Sequence, residues 1–177
     1  MEIKDYIRTV LDFPIEGIEF RDITSLVEEP KAFNKSLIEL TAHCMDFKVD
    51  TIIGIESRGF VFGSPLARDL EVPFIMARKP GKLPNEIVSK EFKLEYGETE
   101  LHIQKISAIK GKVVIIDDLI ATGGTALACA DLIHEQFNID KENILILAVI
   151  DLPDLQGSAI IREQGYNVET LVEFEGK

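Results

Sequence analysis

The sequence predicts an α/β protein with a mostly parallel sheet flanked by helices. Several short runs, of which residues 113–116 are the clearest, are made of β-branched and other apolar residues, as in strands buried on both faces. After such runs the apolar residues recur every three or four positions, which is the period of a helix. Strands and helices that alternate in this way form parallel sheets. The length of 177 residues indicates one domain, residues 1–177, with a sizeable core.

Residues 1–30 are predicted to form a small cap over the strand ends. The apolar residues within 3–11 have helical spacing, which indicates a short amphipathic helix. Residues 18–23 are then expected to be extended. Within them, Phe20 and Arg21 could stack on and fence a flat ring. The residue types alone favour a simpler interpretation, a core phenylalanine beside a surface arginine.

A helix that begins near Pro30 leads to a second strand, loop and helix. Residues 51–55 form the apolar strand, and Ser57 and Arg58 follow in the loop. This loop offers a hydroxyl, a cation and bare backbone N–H groups, which suit an anion. An ordinary turn between a strand and a helix explains the same residues equally well.

Residues 78–105 are predicted to form a basic lid followed by a flexible antiparallel flap. Arg78, Lys79 and Lys82 place three cations within seven residues of an acidic chain, and prolines and a glycine exclude helix and sheet. Such a loop could close over a polyanion and exclude water, although a solvated connection has the same composition. Alternating apolar and charged residues on both sides of Gly97 indicate the hairpin of the flap.

The most informative stretch continues from the strand at 113–116. Asp117 and Asp118 follow it directly, and a loop of small and hydroxylated residues then opens a helix. The first N–H groups of that helix have no helical partner, so they suit a phosphate. The two carboxylates can accept hydrogen bonds from vicinal hydroxyls, which favours a sugar phosphate; a divalent cation could also bind nearby. An ordinary turn with solvated aspartates is the alternative.

Charge and composition narrow the function. The net charge of −12 argues against a nucleic-acid or anionic-membrane surface. The longest apolar run, residues 144–150, is too short to span a bilayer, and it reads as a further strand before the last one at 168–174. The N-terminus lacks the apolar core of a signal peptide. Cys44 and Cys129 read as buried thiols of a reducing compartment, so a cytoplasmic location is expected.

The stretch at 113–125 resembles the phosphoribosyl-pyrophosphate (PRPP) loop of the type I phosphoribosyltransferases. Three more stretches, at 20–23, at 56–60 and at 78–84 with 95–97, make nearly the whole chain similar to the adenine phosphoribosyltransferases. The resemblance implies the type I phosphoribosyltransferase fold. It also implies a Mg²⁺-dependent glycosyltransferase of purine salvage, commonly a homodimer. Such an enzyme converts adenine and PRPP to AMP and diphosphate through an oxocarbenium-like transition state.

The resemblance also assigns binding roles. The residues implied to bind PRPP and its phosphate are Asp117, Asp118, Ala121, Thr122, Gly123, Gly124 and Thr125. Diphosphate falls to Ser57, Arg58, Arg78, Lys79 and Lys82, with the Glu56–Ser57 peptide in the cis form. Adenine falls to Phe20 and Arg21 on either side of the ring, with backbone groups of Glu19 and Arg21 at its edge. No metal ligand is assigned to the protein, because PRPP would hold most of the Mg²⁺ coordination.

Glu95 is the catalytic residue that the resemblance implies. Enzymes for 6-oxopurines usually carry an aspartate where this chain has Ala121, and that aspartate handles the proton on purine N7. Here the proton must be handled elsewhere, and Glu95 matches the residue that shares it with N7 in the adenine enzymes.

Three alternatives stay open. Xanthine phosphoribosyltransferases also carry alanine in this loop, so the base could be xanthine. A PRPP-binding regulator without catalysis could share the fold, although the acidic charge disfavours its nucleic-acid surface. A catalytically dead scaffold would need a broken motif, and the sequence contains none.

Overall fold

The computed structural model describes residues 2–94 and 97–176, with no side-chain description at Leu94. Within this part of the chain, strands and helices alternate as the sequence predicts. The strands are β1 (Arg8–Leu11), β2 (Glu19–Asp22), β3 (Thr51–Ile55), β4 (Phe74–Ala77), β5 (Ile87–Leu94), β6 (Gly97–Gln104), β7 (Val113–Ile120), β8 (Ile144–Asp151) and β9 (Asn167–Glu173). The α-helices are α1 (Thr24–Glu28), α2 (Pro30–Phe47), α3 (Arg58–Leu70), α4 (Gly124–Phe137) and α5 (Gly157–Glu163).

A five-stranded parallel sheet occupies the centre, in the order β4–β3–β7–β8–β9. Every residue of β3 and of β8 is buried, because helices cover both faces of the sheet. The predicted α/β class with a mostly parallel sheet is therefore confirmed. No helix in the described residues is long and apolar enough to cross a membrane.

Each face of the sheet has its own hydrophobic core. On one face, residues such as Ile115 and Ile146 pack against Ile133 of α4. On the other face, Ile116 packs with Leu40 of α2 and with residues of the cap. Since alternate residues of a strand point to opposite faces, β7 sends adjacent side chains into different surroundings.

The cap differs from its prediction. Residues 3–11 do not form one amphipathic helix: a 3₁₀ turn at Ile3–Tyr6 leads into β1, which pairs antiparallel with β2. Leu11 is 67% exposed, so the helical spacing of the apolar residues does not mark one buried face. Pairing with β2 instead satisfies the backbone of β1, a long-range contact that local periodicity does not report. The extended segment at 18–23 is confirmed as β2.

The flap is an antiparallel hairpin of β5 and β6, as predicted. Val88 and Phe92 pack against the core beside α4. Lys90 Nζ lies 2.6 Å from Glu135 Oε1 of the same helix. The lid is irregular, and its first residue, Arg78, exchanges two backbone hydrogen bonds with His102 of β6. The flap therefore lies against α4 and joins the lid.

Candidate active site

A cavity of about 440 Å³ lies at the carboxyl ends of β3 and β7. The loop after β3, the loop after β7 and the flap line it, with Lys79 from the lid. This is the edge at which open α/β sheets bind ligands.

One wall of the cavity is the loop between β7 and α4. It brings together all five residues predicted for a phosphate: Ala121, Thr122, Gly123, Gly124 and Thr125. Gly123 has a φ of +80°, a conformation that favours glycine, and it stands directly before the first turn of α4. That turn presents free N–H groups to the cavity, so this wall suits a phosphate.

A neighbouring glycine that the sequence did not single out supports this wall. The Gly157 N–H donates to the Ala121 carbonyl oxygen over 3.2 Å. A Cβ on Gly123 would lie 2.9 Å from the Gly157 carbonyl oxygen, and a Cβ on Gly157 would overlap the carbonyl of Ala121. Gly157 is 34 residues further along the chain than Gly123, so only the folded structure reveals their contact.

Asp117 and Asp118 precede this loop near the end of β7, and both line the cavity. Asp117 Oδ1 accepts the Asp118 N–H over 2.9 Å. The Asp118 side chain is 2% exposed, and its Oδ2 lies 3.0 Å from Arg58 Nε as an ion pair without hydrogen-bond geometry. Among the described residues, this buried oxygen has no hydrogen-bond donor. A buried acceptor without a hydrogen bond is costly, and a ligand hydroxyl would donate one to it.

The two carboxyls are electrostatically strained. Burial raises the pKa of Asp117 well above its ordinary value, and the charge of Asp118 adds to this. Burial also raises the pKa of Asp118, against the opposing effect of Arg58. The protein therefore keeps two acidic groups where their ionised forms are disfavoured without a ligand.

The opposite wall is the loop after β3. Its Glu56–Ser57 peptide bond is cis, as the resemblance implies. Ser57 is exposed on the cavity wall, and Arg58 opens α3 beside Asp118. The structure therefore brings Ser57 and Arg58 together with the β7–α4 loop around one cavity.

Of the three basic lid residues, only Lys79 is among the residues that line this cavity. The Arg78 guanidinium instead pairs with Glu56, through Nε at 3.3 Å and Nη2 at 3.4 Å, and its Nη1 donates to the Lys82 carbonyl oxygen. Glu56 also accepts the Lys79 N–H over 2.8 Å. Although burial raises the pKa of Glu56, these partners outweigh it and lower that pKa. The structure does not bring Arg78 and Lys82 to the cavity wall.

The cap residues separate into two groups. Phe20 packs edge-to-face on Phe13, and its ring centre lies 5.7 Å from the guanidinium carbon of Arg58. Arg21 points to the other face of β2 and is 6% exposed, so the expectation of a surface arginine is wrong. Its side chain and that of Phe20 cannot enclose one ring in this arrangement. Glu19 pairs with Arg21 instead of facing the cavity.

The flap supplies cavity residues that the sequence reasoning missed, namely Phe92, Lys93, Thr99, Glu100 and Leu101. The alternation that predicts the hairpin does not say which of its faces meets a ligand. The carbonyl oxygen of Lys93 lies close to Gly124, 3.5 Å from where a Cβ would stand. Glu95 and Tyr96 lie outside the described residues, and the catalytic assignment of Glu95 stays a prediction.

Comparisons with known proteins fit this geometry. A family model described as the phosphoribosyl transferase domain matches residues 23–149, which include both walls of the cavity, the lid and the flap. Fold and site together define a phosphoribosyltransferase.

Relatives that match nearly the whole chain show which family of phosphoribosyltransferases it belongs to. The chain is 46% identical to the adenine phosphoribosyltransferase of Nitrosospira multiformis over 177 residues, 99% of each chain. The crystal structure of the Thermoanaerobacter pseudethanolicus adenine phosphoribosyltransferase has a TM-score of 0.87 at 43% identity, covering 97% of this chain and 98% of that one. A Saccharomyces cerevisiae structure, complexed with adenine and an imino-altritol bisphosphate, has a TM-score of 0.84 at 35% identity and 96% coverage of both chains. The chain belongs to the adenine phosphoribosyltransferase family.

Proposed function

We propose that this chain transfers the phosphoribosyl group of PRPP to adenine and gives AMP and diphosphate, as its family does in purine salvage. One observation carries the proposal: a buried Asp118 oxygen without a hydrogen-bond donor among the described residues lies in the same cavity as the β7–α4 loop and Arg58. Hydroxyl acceptors, a phosphate cradle and a cation for diphosphate are the three parts that PRPP requires. The yeast relative that binds adenine supports the choice of base.

The roles of the cavity residues follow from their chemistry. Asp117 and Asp118 accept hydrogen bonds from the ribose hydroxyls, and residues 121–125 hold the 5′-phosphate. Ser57, Arg58 and Lys79 bind the diphosphate, where their donors and charges stabilise the departing anion. For Arg78 and Lys82 to join them, the lid would have to move and Arg78 would have to leave Glu56. A closed lid would keep water from the reactive carbon.

The residues of the cavity fit a Mg²⁺ ion that is held jointly by protein carboxylates and by PRPP. The described residues contain no group of three or more histidine, cysteine or acidic side chains that could hold a metal. Mg²⁺ typically takes one or two carboxylates together with substrate phosphates. Here Asp117 and Asp118 are among the carboxylates that line the cavity, and PRPP would provide most of the ligands. The bound ion supplies positive charge that stabilises the leaving diphosphate.

Glu95 is the proposed proton-transfer residue for the base. Ala121 offers only a methyl group to purine N7, so the β7–α4 loop cannot accept a proton there. Glu95 would share that proton with N7 as N9 attacks the sugar. The adenine edge would meet backbone groups of Glu19 and Arg21, with Phe20 against the ring.

We also propose that the protein forms a homodimer and is located in the cytoplasm. The dimer is supported by the family resemblance, and sedimentation of the purified protein would measure it. The two cysteines, buried and not bonded to each other, are consistent with a reducing compartment.

A diphosphate-release assay tests the function. PRPP and Mg²⁺ are supplied with adenine, hypoxanthine, guanine, xanthine or orotate, each alone. We expect release with adenine only. Release with xanthine would keep the PRPP site and overturn the base, whereas tight PRPP binding without release would favour a regulator.

A further inference from the structure

The Arg21 side chain joins distant parts of the chain. It is buried in the cap, pairs with Glu19 of its own strand, and donates through Nη1 to Thr9 Oγ1 of β1 over 2.5 Å. Its Nη2 also donates to the carbonyl oxygen of Glu175 over 2.6 Å, although the two residues are 154 positions apart. The guanidinium therefore links the cap hairpin to residues 174–176, which we call the tail segment.

The tail segment is itself fixed to the edge of the central sheet. The Phe174 N–H donates to the Asp151 carbonyl oxygen over 3.0 Å, at the end of β8. The Gly176 N–H donates to Asp154 Oδ2 over 2.8 Å, in the loop that follows β8. Tail and loop are thus held together at the carboxyl edge, the edge that carries the cavity.

Packing adds to these hydrogen bonds. Phe174 is 8% exposed, and its ring centre lies 4.8 Å from the Arg21 guanidinium carbon and 4.7 Å from Lys4 Nζ. Gly176 has a φ of +95°, and a Cβ there would lie 2.9 Å from Glu19 Oε2. A larger residue at this position would be strained by its backbone conformation and would also displace the Glu19 carboxylate that pairs with Arg21.

The cap needs such a connection. Its hairpin, β1 and β2, forms a separate two-stranded sheet that is not hydrogen-bonded to the central one. Side-chain contacts therefore decide where β2 stands relative to the cavity. Charge-assisted bonds from a planar guanidinium are strong and directional, so Arg21 suits this task better than a lysine would.

We propose that Arg21 is a positioning residue for the base: through the tail segment, it fixes β2 so that the backbone of residues 19–21 meets adenine. The proposal rests on the proposed function, in which that backbone reads the adenine edge. It replaces the expected contact of the Arg21 side chain with the ring. The tail segment thereby becomes part of the base site without touching the base.

Steady-state kinetics with each substrate varied in turn tests the proposal. For Arg21→Gln we expect the KM for adenine to rise roughly tenfold, as for the loss of one charge-assisted hydrogen bond, and the KM for PRPP to stay within about twofold. Deletion of residues 174–177 should do the same, and combining the two changes should add little because both break one connection. An unchanged adenine KM, or an equal rise in both KM values, would overturn the proposal.

Gly176→Ala keeps the experiment decisive if the first two variants do not fold. It strains the backbone of the tail segment and displaces the Glu19 carboxylate without removing a charge, and we expect the same selective rise in the KM for adenine. An Arg21→Lys variant should give an intermediate adenine KM, since lysine keeps the charge but not the fork of donors. If Gly176→Ala does not raise the KM for adenine selectively, the proposed role of the tail segment is contradicted.

Arg8→Gln is the matched control. Arg8 lies on the same hairpin and pairs with Asp22 at 3.0 Å, but it is exposed and has no hydrogen bond or ion pair with the described residues of the tail segment. Its removal should leave both KM values within about twofold, as expected for an exposed ion pair. Failure of the proposed function would appear differently, as wild-type protein that releases no diphosphate with adenine.

Discussion

The site has two halves, a PRPP half around Asp117, Asp118 and the β7–α4 loop, and a base half around β2 of the cap. The two halves differ in how their buried charged side chains are bonded. In the PRPP half, Asp118 is buried with an oxygen that no described donor satisfies, and the pKa of Asp117 beside it is raised by burial and by that neighbouring charge. In the base half, Arg21 is also buried, and its Nε lacks an acceptor among the described residues, but both of its Nη atoms are bonded within the protein, to Thr9, Glu19 and the tail segment. The contrast is one of bonding: Asp118, held by one ion pair with Arg58, keeps an oxygen for a ligand hydroxyl at the cavity, whereas Arg21, bonded to three other residues, connects distant parts of the structure.

The largest effect on turnover is expected at Glu95, the proposed proton-transfer residue. Glu95→Gln should lower kcat roughly 10²- to 10⁴-fold, because the amide cannot share the purine proton. The measurement is turnover at saturating adenine and PRPP. Glu98→Gln, an exposed glutamate of the same flap, is the matched control and should retain turnover. A loss of less than about threefold in Glu95→Gln would remove this residue from the mechanism.

A second change sharpens the comparison within the PRPP half. Gly157→Ala introduces a methyl group where the Ala121 carbonyl lies, so the β7–α4 loop must shift. Because small displacements of binding groups are expensive, the KM for PRPP should rise, by up to about 100-fold. The KM for adenine should change much less. Ala159→Gly, on the same helix, controls for a general loss of helix stability.

The smallest effect is expected between flap and α4. Lys90 and Glu135 form a partly exposed ion pair, and such pairs contribute about 0.2–1 kcal/mol. Lys90→Gln should therefore lower the thermal midpoint only slightly and leave both KM values unchanged. A large loss of activity would show that this pair sets the position of the flap, contrary to our account. Thermal unfolding monitored by circular dichroism makes the measurement.

How much of the site the sequence predicts depends on chain distance. The stretch from Asp117 to Thr125 is continuous, and its strand, loop and helix follow from local periodicity and glycine chemistry. The binding roles of its residues come from the resemblance to the phosphoribosyltransferases and stay predictions. Two of the three partners of Arg21 are 12 and 154 residues away, and Gly157 meets a loop 34 residues earlier. Such contacts depend on the packed structure, which one residue pattern does not specify.

The lid illustrates the same limit. Three cations in one short loop favour a polyanion site, yet they do not say which charges are already paired. Arg78 is paired with Glu56, 22 residues earlier, and only Lys79 reaches the cavity wall among the described residues. Burial and pairing, which a sequence does not display, decide which of several cations is available to a ligand.

The central claim is that the buried aspartates of the PRPP half destabilise the ligand-free protein and stabilise bound PRPP. Asp117→Asn tests this claim most directly. The raised pKa means that ionised Asp117 destabilises the folded protein at pH values above that pKa, a cost that vanishes below the pKa of the unfolded chain.

Thermal midpoints of the ligand-free protein and PRPP affinity would be measured together between pH 5 and pH 8, a range chosen around the ordinary optimum of protein stability. We predict that Asp117→Asn raises the midpoint, more so at the higher pH, and weakens PRPP binding roughly tenfold or more. A lower midpoint together with unchanged PRPP affinity would contradict the account.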